Sequence, residues 1–198
     1  MKLIFATQNE HKLKEVQQLM PAGIEILSLK DIDCLYDIPE TATTLEGNAQ
    51  LKARYIAENY KVNCFADDSG LEIFALNNAP GVYSARYAGE QRNNNDNINL
   101  VLKKLMPHQN RNAQFRTVIC LIINGKEQLF DGIVEGKIRF EKSGNEGFGY
   151  DPIFEPENCG KTFAEMSMAE KNKQSHRSRA FAKMVKSIAD YLENKLLA

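Results

Sequence analysis

Phe115-Arg116-Thr117-Val118-Ile119-Cys120-Leu121-Ile122-Ile123-Asn124-Gly125 is the stretch on which the fold turns. An apolar, β-branched run ends in Asn-Gly, a pair that accepts the positive φ angles of a two-residue hairpin turn, and Glu127 to Val134 returns as the second strand. Antiparallel pairing follows. The start of the chain reads differently. Lys2 to Ala6 is short, apolar and bounded by polar residues, as a buried strand is, and Leu13, Val16 and Met20 then share one helical face. Ala49, Ala53, Ile56, Ala57 and Tyr60 mark a second amphipathic helix, followed by expected strands at Val62 to Ala66 and Leu71 to Leu76. Phe181, Met184, Val185, Ile188 and Leu192 mark a last helix packed on the sheet. Helices alternating with strands, plus one hairpin, predict an α/β fold with a central mixed sheet.

The chain has 198 residues, 43% of them hydrophobic. That is the size and composition of one globular domain, so 1–198 is read as a single domain of two lobes with no separable linker. Lys and Arg number 25 against 26 Asp and Glu, a formal net charge of −1. No global field draws such a chain to nucleic acid or to an anionic membrane. The longest apolar run, Val118 to Ile123, is far shorter than the ~20 residues that cross a bilayer. No apolar segment near the N-terminus suits a secretory signal, so cytoplasmic residence is expected. Cys34, Cys64, Cys120 and Cys159 are scattered, without C-x-x-C spacing, and read as reduced, mostly buried thiols.

Three stretches carry candidate chemistry. Thr7-Gln8-Asn9-Glu10-His11-Lys12 links the first strand to the first helix, where free N–H groups and the positive helix end suit phosphate oxygens. An ordinary N-cap with solvated charges reads equally from the same residues, and His11 looks solvated. Phe65-Ala66-Asp67-Asp68-Ser69-Gly70 puts two carboxylates at the end of an apolar strand, followed by a Ser-Gly turn. Hard oxygen ligands there suit Mg²⁺, while a turn capped by Asp and Ser is the plainer reading. Lys142 to Pro152 holds three glycines and the pair Phe148 and Tyr150, which either frame a nucleobase pocket or plug the core. Ala169 to Arg179 reads either as a solvated basic run before the last helix or as a start that Ser175 N-caps, with His176 and Arg177 at its positive end.

Six motifs in order carry a family resemblance: Thr7-x-Asn9-x-x-Lys12, Asn48-Ala49-x-x-Lys52-Ala53, Ala66-Asp67-Asp68-Ser69-Gly70, Pro80 to Tyr87, Phe148-Gly149-Tyr150-Asp151-Pro152 and Ser175-His176-Arg177. Together they resemble the inosine triphosphate pyrophosphatase family, bacterial type, over nearly the whole chain. The resemblance implies the ITPase-like (Maf/Ham-type) fold, with the active site in a cleft between two lobes. It implies hydrolysis of ITP, dITP and XTP to the monophosphate and pyrophosphate, with Mg²⁺ as cofactor and a homodimer as assembly. Thr7, Gln8, Asn9, Glu10, His11 and Lys12 would then take the triphosphate, with Lys52 reaching phosphate. Asp68 would be proton acceptor and metal ligand, Asp67 and Glu40 further metal ligands, and Ser69 a substrate contact. Phe148, Gly149, Tyr150 and Asp151 resemble the purine-binding stretch, Lys171 a substrate contact, and His176 with Arg177 the donors that read the 6-oxo group. Many bacterial relatives have Glu-Thr-Gly where this chain has Glu40-Thr41-Ala42. Two other readings compete: a Maf-like pyrophosphatase for modified pyrimidine nucleotides, and a non-catalytic purine nucleotide sensor.

Overall fold

The computed structural model describes residues 1–196, with side chains through 193. Strand β1 (Lys2–Phe5) leads through a four-residue loop into helix α1 (Glu10–Leu19), and β2 (Glu25–Leu27) pairs parallel with β1. Helix α2 (Leu45–Tyr60) precedes β3 (Cys64–Ile73), which lies parallel to β1 on its other side. The short β4 (Ala79–Pro80) pairs antiparallel with β3, and α3 (Asn94–Leu105) follows. Then come the hairpin strands β5 (Asn112–Ile123) and β6 (Lys126–Ile138), β7 (Phe154–Pro156) antiparallel to β6, and helices α4 (Met168–Asn172) and α5 (His176–Leu196). The seven-stranded sheet runs β2-β1-β3-β5-β6-β7, with β4 branching from β3. It is mixed, as the sequence led one to expect.

The hairpin turn is the two-residue link that Asn-Gly predicts: Asn124 has φ 49° and Gly125 φ 76°, the positive pair of a type I′ turn. One expectation fails. Val62 to Ala66 and Leu71 to Leu76 are not two strands with a Ser-Gly turn between them but one strand, Cys64–Ile73, followed by a single 3₁₀ turn at Phe74–Leu76. Asp67 and Asp68 stay extended inside it because their charges are met by side chains from other elements, described below. Position 70 takes glycine because the Gly81 carbonyl lies inside the space a Cβ would fill.

The chain divides into two compact units, neither continuous in sequence: Met1–Asp68, Thr117–Gly132 and the chain from Arg177 make the first, Ser69–Arg116 and Ile133–His176 the second. The boundaries fall inside β3, β5 and β6 and at the start of α5. In the first, Ala180, Phe181, Met184 and Ile188 of α5 pack on Leu3, Phe5, Phe65, Ile119, Leu121 and Ile123. The Phe5 and Phe65 rings stack at 4.5 Å, and Phe181 meets both edge to face. Such pairs add about 0.5–1.5 kcal/mol beyond the area they bury. In the second unit, Ile98, Val101 and Leu105 of α3 bury against Leu71, Ile73, Phe115, Val134 and Ile138, with Phe154 and Phe163. The four thiols are all free, and burial pushes those of Cys64 and Cys120 up to about 12, so they are inert packing groups.

Candidate functional site

Successive residues of a strand point to opposite faces of the sheet, and β3 uses this to separate its two carboxylates. Asp67 receives Lys12 Nζ of α1 at 3.0 Å and Arg177 Nε of α5 at 3.4 Å. Arg177 is 1% exposed, and its Nη1 also bonds the buried Glu15 of α1. Asp68 instead meets α2: Asn48 Nδ2 donates to its Oδ2 at 3.0 Å. One helical turn further along α2, Lys52 Nζ donates to Glu40 Oε1 at 2.6 Å and to the Asp67 carbonyl at 2.8 Å.

The two neighbours therefore titrate in opposite senses. Burial acts to raise the Asp67 carboxyl, but Lys12, Arg177 and Lys52 outweigh it and hold the group well below the usual carboxylate range. Burial also raises Asp68, and although Lys52 and Lys12 pull it down, the like charge of Glu40 helps leave it above its ordinary value. Lys52 is nearly enclosed, yet Asp68, Glu40 and Asp67 together hold its ammonium above the ordinary lysine value despite burial. Asp68 is thus a buried carboxylate that ionises less readily than an ordinary one, with the Lys52 ammonium favoured nearby.

The expected metal set does not converge. Asp67 leaves β3 toward α1 and α5, whereas Asp68 and Glu40 belong to the α2 side, and among the described residues no three His, Cys, Asp or Glu gather where an ion could sit. Asp67 is an ion-pair anchor. Asp68 and Glu40 remain as two hard oxygen donors, and their mutual repulsion is what a divalent cation would relieve. Two carboxylates suit Mg²⁺, which keeps waters and takes phosphate oxygens as its other ligands.

The loop from Thr7 to Lys12 is capped as a helix start. Asn9 Oδ1 accepts from the His11 and Lys12 N–H groups at 3.0 and 3.2 Å, and Thr7 Oγ1 accepts from Asn9 N–H at 3.2 Å. Gln8, Glu10 and His11 face solvent, and only Lys12 turns inward to the carboxylates. Within the second unit, Asp151 Oδ2 accepts from the Phe148 N–H at 2.8 Å and from Lys171 Nζ at 2.7 Å. The Lys171 ammonium lies 4.9 Å from the centroid of the half-buried Phe148 ring. Gly147, at φ 73°, is the position where a side chain would strike Asp151. His176 stacks flat on Phe115 at 4.7 Å, and the Tyr150 hydroxyl donates to the Ser84 carbonyl at 2.8 Å. Phe148, Asp151 and Lys171 thus form one cluster, while Tyr150 is a core residue and Ser69 is half-buried next to Asp68.

Residues 3–187 match the Ham1 family. The chain belongs to the Ham1 family. Among its relatives, a dITP/XTP pyrophosphatase of Flavobacterium psychrophilum is 55% identical over 98% of this chain and all of that protein. One of Porphyromonas gingivalis is 51% identical over 92% of this chain and 95% of that protein. The Ham1 protein of Staphylococcus aureus superposes with a TM-score of 0.88 at 36% identity, covering 96% of this chain and all of the other. A HAM1 protein of Coxiella burnetii gives 0.89 at 38% identity over 96% and 99% of the two chains. Two residues of this Ham1 chain escaped sequence reasoning. Glu15 gave no signal because its partner Arg177 lies 162 residues away. Asn48 stood in a quoted motif, but nothing local shows that its amide meets Asp68.

Proposed function

We propose that the chain hydrolyses deaminated purine nucleoside triphosphates, namely dITP, XTP and ITP, to the monophosphate and pyrophosphate, keeping them out of DNA and RNA. The observation that carries this reading is the buried Asp68, whose Oδ2 takes Asn48 Nδ2 at 3.0 Å beside the ion pair of Lys52 and Glu40. The names of the curated relatives point the same way and leave a pyrimidine substrate or a silent sensor unsupported. Asp68 accepts the proton of a water that attacks the α-phosphorus, and pyrophosphate departs. Lys12 and Lys52 lie on the two sides of the acidic strand as cations for the charge that develops on phosphate oxygens, usually the largest catalytic contribution in such chemistry. Asp68 and Glu40 are the residues that would hold Mg²⁺, which supplies further charge neutralisation at the phosphates when bound.

The Phe148 ring and the loop behind it offer a stacking face for the base. Arg177 meets Asp67 and Glu15 through Nε and Nη1. His176, Arg177 and the loop N–H groups are the donors for the 6-oxo group, and adenine's amino group would leave them unsatisfied. An enzyme acting on the free nucleotide pool belongs in the cytoplasm, and gel filtration tests the homodimer.

Pyrophosphate release measured across ITP, dITP, XTP, GTP and ATP is the deciding experiment. The deaminated substrates should be consumed with Mg²⁺ present, and ATP hydrolysed comparably, or release of orthophosphate, overturns the reading. Asp68→Asn keeps the shape and removes the base, so the rate should fall at least ~10²-fold with the fold intact. Near-wild-type turnover would remove Asp68 from the mechanism.

A further inference from the structure

Asn48 is fully buried, and both ends of its side-chain amide are occupied. Nδ2 donates to Asp68 Oδ2 at 3.0 Å, while Oδ1 accepts the Ala42 N–H at 2.9 Å. Ala42 stands two residues beyond Glu40, whose carboxylate takes Lys52 Nζ at 2.6 Å. Residues 48 and 52 are one turn apart on α2, so one helical face reaches both the acid on β3 and the loop carrying the second acid. We propose that Asn48 is a positioning residue for the hydrolysis: its amide sets the carboxylate plane of Asp68 and ties the Glu40-Thr41-Ala42 backbone to it.

The physical reason is that a carboxylate turns easily about its last torsion, for which there is no sharp rotamer. A general base works only when one oxygen is held within hydrogen-bond reach of the attacking water. Inverting the Asn48 amide would set its NH₂ against the Ala42 N–H and its oxygen against Asp68. The Ala42 bond therefore commits the donor end to Asp68. An apolar residue at 48 would leave a half-buried N–H and a buried carboxylate each short of a partner.

The inference rests on Asp68 being the proton acceptor, and a double-mutant cycle separates the two ideas. Asn48→Ala should lower kcat for dITP at least about tenfold with KM moving less than about threefold, the mark of a misplaced reacting group. In the Asp68→Asn background the same change should cost no more than about twofold, because the group through which Asn48 acts is already gone. Loss by the same factor in both backgrounds overturns the positioning role while leaving Asp68 as base. A wild-type protein that does not consume dITP overturns the functional reading and the role together.

Asn48→Asp guards against a variant that fails to fold, and it is read by heat alone. It keeps the acceptor for Ala42 N–H but faces Asp68 with a like charge, so Tm should fall. Adding Asp68→Asn should restore it, because the new amide can donate to the new carboxylate. Failure of Tm to recover overturns the contact.

Discussion

At the level of single residues, Asp67 and Asp68 show how one peptide bond separates two chemistries. Asp67 is held ionised by Lys12 and Arg177, whereas Asp68 is held reluctant to ionise by burial and Glu40. The sign for stability follows. A carboxyl whose folded value lies below the ordinary 3.8 stabilises the fold fully above that value, and the contribution is lost as pH falls below it. Wild-type stability from Asp67 should thus be level between pH 5 and 8, roughly, and decline from about pH 4 downward. Asp67→Asn leaves Arg177 and Lys12 short of a buried counter-charge, so it should lose about 3–5 kcal/mol at neutral pH. Its acid decline should also be shallower. Urea unfolding at a series of pH values measures both, and a variant as stable as wild type at pH 7 sinks this account. The sequence marked both acids as functional, but their division between two partner sets depends on elements far along the chain.

Among the elements, the start of α2 shows a local fit that the sequence could only flag. Thr44 caps the helix through Gly47 N–H at 3.1 Å, and a Cβ on Gly47 would come 2.6 Å from the Ala42 methyl. The methyl of Ala42 is accommodated by the missing side chain at 47. In a helix Ala is favoured over Gly by ~1 kcal/mol, so intrinsic propensity predicts that Gly47→Ala stabilises. The clash should win, costing about 1–3 kcal/mol in the wild-type background. In the Ala42→Gly background the same substitution should become stabilising. Thermal unfolding of the four proteins tests this, and a gain in both backgrounds would refute the contact. Helices α1, α2 and α5 and the hairpin were legible because hydrophobic period and turn chemistry are local properties. The continuity of β3 was not, since Asp-Asp-Ser-Gly resembles a turn until its charges and its glycine meet partners from elsewhere.

Taken as a whole, the molecule has an apolar core in each unit and four free thiols, three in the first unit and Cys159 in the second. Cys34 is 3% exposed, Cys64 and Cys120 fully buried, and Cys159 alone is half-exposed, its sulfur against Gln174. A thiol reagent should therefore modify Cys159 promptly in the native protein and the other three at the rate of opening, with all four reacting in denaturant. Prompt reaction of two or more would contradict the packing, and so would a shift of Tm with reductant. The sequence by itself determined β1, helices α1, α2 and α5, and the β5–β6 hairpin with its Asn124-Gly125 turn. These follow from forces between residues a few positions apart. Only the tertiary structure decided that Asp67 faces Lys12 and Arg177 while Asp68 faces Asn48, and that Arg177 pairs with Glu15. Those outcomes depend on strand alternation combined with helices brought against β3 from 55 residues before it and 110 residues after it. Burial then turns their charges into fixed partnerships, which no local pattern in the chain encodes.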